Sequence, residues 1–341
     1  MKALFKLLTG LLFLTFSLIS CNTTDDRVKI GIISSAGGFN DNSFNELAFG
    51  GFEQAKAEFN FYGDSRDSQN QEDIIDNINY FINNDFDLII ALGFEATAPI
   101  TRAAMSNPDV NFALIDDIVP DPPSNLGSFI YRVDQSSFVC GYIAGYWADH
   151  MNPDNPVAAW VGGPAIPEIE TFRRGYELGI NYFNQAHDRN VEVIGANAKS
   201  FLNPDQGVAL TDSLINDGAD VVFSFAGVTG YGVLHQTRNR GKQGIGVDFD
   251  QTITNPAVSD ILLTSCMKNL DITVYEIIYK YMNNLDWGGG NIHYGTLAGG
   301  AVDVAPFHEF EDRIPNSIKQ EIEELKRGID SGRIDTGWRG R

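Results

Sequence analysis

Short apolar runs alternate with segments of helical period along almost the whole chain, and that rhythm leaves few folds open. Val28-Lys29-Ile30-Gly31-Ile32-Ile33 reads as a strand and residues 45–59 as a helix. Ile74, Ile75, Ile78, Phe81 and Ile82 then share one helical face. Residues 87–92 and 111–115 are strand-like with a helix near 96–105 between them, and residues 129–133 close this first set. In a second set, strands at 157–161, 191–194, 221–225 and 244–248 alternate with helices over 168–183, 206–216 and about 232–240. Each strand–helix–strand passage implies a right-handed parallel crossover, so each set predicts a doubly wound parallel sheet in an α/β protein.

The roughly 315 residues from the first strand onward exceed the usual single core, so two lobes are expected. The end of the chain complicates a simple division. Residues 261–265 read as another strand and 270–282 as a helix; Gly288-Gly289-Gly290 then precedes an extended segment over 295–304 and a charged helix near 315–331. A chain that returns to the first lobe after about residue 250, and later crosses back, accounts for this order. On that reading residues 28–134 with 251–285 form the N-terminal lobe, and 135–250 with 286–341 the C-terminal lobe. Three connecting strands would leave a cleft that hinges shut on a ligand.

Lys2 and Lys6 precede a short apolar run that ends at Leu18-Ile19-Ser20-Cys21. The run has the layout of a secretory leader rather than of a bilayer span, which needs ~20 apolar residues. The tetrapeptide resembles a bacterial lipobox, in which the cysteine is acylated and becomes the first mature residue. Residues 1–20 are therefore expected to be a signal peptide, with Cys21 lipidated and residues 21–27 a polar tether. The formal net charge is −21, and removing the leader takes away two lysines and no acids. So acidic a chain is unsuited to nucleic acid, whose binding relies on Lys and Arg at phosphates. Cys140 and Cys266 remain, expected as buried unbridged thiols, although one pair would suffice for a disulfide. The five histidines form no HxxH pair and there is no CxxC, so neither a metal site nor a cofactor is expected.

In open α/β sheets ligands sit beyond the C-terminal ends of the strands. Those ends carry a glycine- and carboxylate-rich set: Gly37 through Asn45, with Asp41, Asn42, Ser43 and Phe44; Asp116-Asp117; Gly162-Gly163; Gly227 through Gly232; Asp248-Phe249-Asp250; and Lys268. Glycines admit close backbone approach, and helix N-termini offer free N–H donors. Structural roles compete with each assignment. Ser43 or Asn45 would serve as helix caps, Asp116 and Asp117 as turn residues, and Phe44 and Phe172 as core. Asp248-Phe249-Asp250-Gln251-Thr252 also matches the DxDxT of a phosphatase class whose first aspartate attacks phosphorus. That motif belongs on the first strand of its domain; here it follows most of the chain, which marks it as a chance match.

The same residues carry a family resemblance. The segments are Phe39-Asn40-Asp41-Asn42-Ser43-Phe44-Asn45, Phe112-Ala113-Leu114-Ile115-Asp116 and Phe138-Val139-Cys140-Gly141-Tyr142-Ile143-Ala144-Gly145. Gly162-Gly163 then leads through Ile166-Pro167 to Phe172 and Gly175, followed by Ala226-Gly227-Val228-Thr229-Gly230, Gly246-Val247-Asp248-Phe249-Asp250-Gln251 and Thr264-Ser265-Cys266-Met267-Lys268-Asn269. In this order the chain resembles the basic membrane protein family of lipoproteins, particularly its purine nucleoside receptors. Cys266 departs from the aliphatic residue usual in its segment. The resemblance implies the type I periplasmic-binding fold, with two doubly wound parallel-sheet lobes joined by a three-strand hinge. It implies no catalysis, and a small-molecule ligand delivered to the permease and ATPase of an ABC importer. Carried over by position, Asp248 and Lys268 hold ribose hydroxyls with Gly227 contributing backbone. Asp116 and Asp41-Asn42-Ser43 read the base, and Phe44 and Phe172 stack on it.

The expectation is thus an extracytoplasmic, lipid-anchored receptor for purine nucleosides. A receptor for a free sugar or other small polyol keeps Asp248 and Lys268 but gives Phe44 and Phe172 no particular task. An extracellular phosphatase acting through Asp248 and Asp250 is the remaining alternative. A transcription regulator of the same fold is disfavoured by the lipobox and by the lack of a leading helix-turn-helix.

Overall fold

The computed structural model describes residues 26–340, so the expected leader, Cys21 and most of the tether lie outside the described residues. The first lobe runs β1 (Lys29–Ala36), α1 (Phe44–Glu58), β2 (Tyr62–Ser68), α2 (Gln71–Asn83), β3 (Leu88–Leu92), α3 (Thr97–Ser106), β4 (Asn111–Ile115) and β5 (Leu126–Tyr131). The second follows as α4 (Val133–Met151), β6 (Val157–Gly162), α5 (Pro167–His187), β7 (Glu192–Asn197), α6 (Pro204–Asn216), β8 (Val221–Phe225), α7 (Thr229–Asn239), β9 (Gln243–Asp248), the short α8 (Gln251–Thr254) and β10 (Leu262–Lys268). Then come α9 (Leu270–Met282), β11 (Ile292–Gly295), β12 (Val302–Val304) and α10 (Asn316–Asp330).

Two six-stranded sheets result, ordered β11-β5-β4-β3-β1-β2 and β12-β10-β9-β8-β6-β7. Every pairing is parallel except that of β12 with β10. The central strands β3, β6 and β8 are buried along their whole length, as parallel strands covered by helices on both faces must be. The chain passes between lobes three times: from β5 into α4, from β10 into α9, and from β11 to β12.

The division of the chain differs from the sequence expectation. Residues 251–268 do not return to the first lobe; β10 lies between β9 and β12 in the second sheet. Only α9 returns, packing on α1, and β11 then joins the first sheet although residues from 286 onward were expected in the second lobe. The physical reason is that β11 has only four, partly exposed residues, too short a pattern to name a sheet, while β10, buried on both faces, has no period that names one. Their neighbours are chosen by long-range pairing.

Two elements escaped the sequence pattern altogether. β2 is a polar edge strand, Tyr-Gly-Asp-Ser-Arg-Asp-Ser, held by its register against β1. Helix α4 has 15 buried residues among 19 and so lacks an amphipathic stripe. It crosses α5 at glycine contacts: a Cβ at Gly141 would stand 2.1 Å from the Tyr176 carbonyl oxygen, and one at Gly179 2.0 Å from that of Phe138. Cys140 on α4 and Cys266 on β10 are buried and unbridged, and Cys266 Sγ lies 3.2 Å from Ser136 Oγ.

Candidate functional site

Between the lobes lies a cavity of about 320 Å³, lined by residues from the C-terminal ends of strands of both sheets. The size suits one small molecule. From the first lobe come Ser35 and Ala36, Asp41, Phe44 and Asn45, Gly93 to Glu95, and Asp116. From the second come Pro164, Ile166, Glu168, Ile169 and Phe172, Ser200 to Leu202, Phe225, Gly227 and Val228, Val247 and Asp248, and Lys268. Of the residues picked out by sequence, Asp41, Phe44, Asp116, Phe172, Gly227, Asp248 and Lys268 reach the cavity; Asn42 and Ser43 do not line it.

Its polar end is an ion cluster. Lys268 Nζ lies 2.7 Å from Asp116 Oδ2, and both side chains are buried. Ser43 Oγ donates to Asp248 Oδ2 at 3.0 Å, tying the first lobe to the second. Asp116 and Asp248 occupy matching positions just past β4 and at the end of β9, and both are left-handed, with φ of 72° and 64°. Aspartate tolerates that region better than most residues, but such outliers cost on the order of 1–3 kcal/mol and concentrate at functional sites. Burial pushes the Asp248 carboxyl up, and Lys268 and Ser43 only partly oppose it. Burial also pulls Lys268 down, but the Asp116 and Asp248 carboxylates outweigh it and hold the ammonium above its ordinary value. The ammonium further faces the rings of Phe44, Phe172 and Tyr131, at 5.3, 5.4 and 5.8 Å from their centroids.

Asp41 has a second task. Its Oδ1 accepts from the Ser43 and Glu46 amides, and its Oδ2 from the Asn45 amide and Nδ2, so it caps α1. Neither Ser43 nor Asn45 is the cap: Ser43 faces Asp248, and Asn45 Oδ1 accepts from the Ser35 amide and hydroxyl. Asn42 is exposed at φ 48°, and its carbonyl accepts from the Tyr231 hydroxyl at 3.1 Å, a further lobe-to-lobe bond beside Ser43–Asp248 and Lys268–Asp116. Burial, with Asp41 and Glu46 adding to it, pushes the Tyr231 hydroxyl up to about 12.

The aromatic walls differ from the sequence expectation. Phe172 is only 3% exposed, stacked on Phe225 with centroids 5.5 Å apart and set edge-on to Phe223, so it belongs mainly to the core beneath the cavity. Phe201 is half-buried and lines the cavity from the second lobe. It lies so close to Gly163 that a Cβ there would stand 2.1 Å from its ring. Phe94, Glu95 and Glu168 also line the cavity and were missed with it. For Phe94, Glu95 and Phe201 the signal was available, because they follow β3 and β7 and the strand-end rule collects them once applied to those two strands.

The phosphatase pattern does not assemble. Asp250 Oδ1 accepts from the Thr252 amide, capping α8, while its Oδ2 lies 2.7 Å from His308 Nε2. Asp248 faces the cavity, so the two carboxylates do not address one phosphoryl group.

Residues 28–335 match the profile of the PnrA-like ABC transporter substrate-binding proteins. The chain belongs to that family. Its members are substrate-binding proteins rather than enzymes. Among relatives, the CD4+ T-cell-stimulating antigen of Listeria monocytogenes is 27% identical over 330 residues, with 89% of this chain and 87% of the antigen covered. An uncharacterized lipoprotein of Pyrococcus furiosus is 29% identical, with 89% and 80% covered. Basic membrane protein B of Borreliella burgdorferi is 28% identical, with 87% and 86% covered. Among solved structures, an ABC transporter solute-binding protein of Aeropyrum pernix superposes with a TM-score of 0.83 at 24% identity, covering 90% of this chain and 92% of its own. It shows the same substrate-binding fold. Among the described residues no helix is long and apolar enough to cross a membrane.

Proposed function

We propose that this substrate-binding protein is a lipid-anchored, extracytoplasmic receptor that captures purine nucleosides and delivers them to the permease of an ABC importer. The observation that carries the ligand reading is that one cavity holds both kinds of group: the Asp248–Lys268–Asp116 cluster, and aromatic rings from both lobes, Phe44 and Phe94 from the first and Phe201 from the second. A carboxylate accepts two neighbouring hydroxyl hydrogens, as a ribose diol requires, and aromatic rings cover the faces of a base. Asp248 and Lys268 would hold the ribose with Gly227 beside them. Asp116 would reach the base, and Phe44 and Phe201 would cover it with Phe172 behind. Ser43 and Asn42 would act by joining the lobes, and Asp41 by fixing the helix that presents them. The anchor reading rests on Leu18-Ile19-Ser20-Cys21 and on relatives described as lipoproteins and as basic membrane proteins.

Calorimetric titration of the chain against adenosine, 2′-deoxyadenosine, ribose and adenine tests the ligand. Adenosine should bind tightest. Asp248→Ala should weaken it tenfold to a hundredfold, since a charge-assisted hydrogen bond contributes about 1.5–3 kcal/mol and ~1.4 kcal/mol is a decade in affinity. The deoxynucleoside should be weaker on the parent chain and far less sensitive to that change. Equal affinity for ribose and adenosine would move the assignment to a sugar receptor.

A further inference from the structure

The first lobe has a pole opposite the cleft, where the strands β1 to β4 begin and where α1 and α9 end. That pole carries aromatic and aliphatic side chains in the open. Tyr62 is 43% exposed, Tyr279 41% and Leu285 51%. Phe59 lies 5.9 Å from both Tyr275 and Tyr279, which stack on each other at 6.5 Å. Tyr275 is tied to the end of α1 through Glu58, and Tyr281 six residues on reaches the carbonyl of Asp87 before β3. The five side chains Phe59, Tyr62, Tyr275, Tyr279 and Leu285 therefore decorate one end of the lobe.

The chain enters the fold at this same end. Tyr62 is the register partner of Lys29, its amide bonds the Val28 carbonyl, and the Arg27 guanidinium stands 6.0 Å over its ring. Cys21 precedes Arg27 by six positions, a length of chain that spans at most ~20 Å. An acyl group on Cys21 thus keeps this pole, and not the cleft, within about 20 Å of the bilayer. Tyrosine is suited to that place, because its ring has an apolar body and a polar tip and settles at the headgroup level. Arg27, Lys29, Lys56 and Lys280 stand at the pole among Glu53, Glu58, Glu276, Asp85, Asp87, Asp109 and Asp286, so the pole, like the whole chain, carries more acids than bases. The chemistry favours a zwitterionic surface over an anionic one.

We propose that this pole of the first lobe is a bilayer-contact surface that rests on zwitterionic headgroups beside the lipidated N-terminus. The inference rests on the anchor reading above and is independent of the ligand. Strands of five to eight residues run from pole to cleft, so in this posture the cavity is held on the order of 15–25 Å above the membrane and opens away from it for capture. Delivery then requires the protein to tip off this face.

The test uses the full acylated chain on phosphatidylcholine vesicles, with a nitroxide attached at Tyr62→Cys, Tyr279→Cys or, as control, Tyr182→Cys. Tyr182 lies on α5 of the second lobe and is 40% exposed, so it matches the others in accessibility. Cys140 and Cys266 are buried and do not compete for label. Power saturation should show at least threefold lower access of a water-soluble nickel chelate at 62 and 279 than at 182, with oxygen access raised. Equal nickel access at all three sites, in chains that co-float with the vesicles, overturns the contact surface and leaves the anchor standing. Failure to co-float overturns both. Ligand affinity of the same samples reports separately on the cavity.

Discussion

Lys268 and Asp116 form a 2.7 Å ion pair across the boundary between the two sheets: Lys268 is the last residue of β10, and Asp116 is the first residue beyond β4. Its partners join the lobes at the hinge as well as at the cavity. Asp248 completes the cluster, and its bond from Ser43 crosses the same boundary. Contact between the lobes and the buried charge balance are consequently carried by one group of side chains, the group proposed above to hold the ligand.

Removing the cation should therefore be costly before any ligand is added. Lys268→Met leaves Asp116 and Asp248 buried without their ammonium, and breaking a buried pair typically costs 3–5 kcal/mol. Urea unfolding should show a clearly lower midpoint at similar slope. A midpoint within error of the parent would mean that water replaces the ammonium and that the pair is not a structural element.

Asp248 should show the opposite sign. Burial holds its folded-state carboxyl above the ordinary aspartate value. The charged form therefore opposes folding at neutral pH, and the opposition disappears as pH falls through that raised value and the folded protein takes up the proton first. Asp248→Asn should unfold at higher temperature than the parent at pH 7 in the absence of ligand. The gap should shrink steadily toward pH 4, while nucleoside affinity falls at least tenfold. A gap that widens on acidification would show that Ser43 and Lys268 outweigh burial.

The two phenylalanines of the second lobe should separate cleanly. Phe201→Ala removes a cavity wall from a half-buried loop position and should lower affinity for purine ligands about tenfold with little change in melting temperature. Phe172→Ala opens a void beneath Phe225 and should cost about 3–5 kcal/mol of stability. Differential scanning calorimetry paired with ligand titration reads both. Loss of affinity in Phe172→Ala without loss of stability would return that ring to the ligand.

The amino-acid sequence by itself determined the α/β class, the two sets of crossovers and the strand ends where a ligand would sit, because apolar period and glycine placement are local properties. β8 and α9 fall at the residues the pattern predicts, 221–225 and 270–282. It also led to Asp116, Asp248 and Lys268, since all three fall at or just past the ends of apolar strands, at the sheet edge where ligands of open α/β folds sit. Tertiary structure alone decided the rest. α4 had no visible period because nearly all of it is buried; β10, buried at all but one position, had no period to name its sheet, and the short, partly exposed β11 was placed by its pairing with β5. Whether a given side chain caps a helix, bridges the lobes or faces the cavity was settled by neighbours far away in sequence. Asp41 turned to the amides of α1, and Ser43 found Asp248 across 205 residues of chain. Phe172 and Phe201 both line the cavity, Phe172 from among the core rings and Phe201 from the segment after β7, and which rings reach it is decided by how helices and strands pack, a property of the assembled layers.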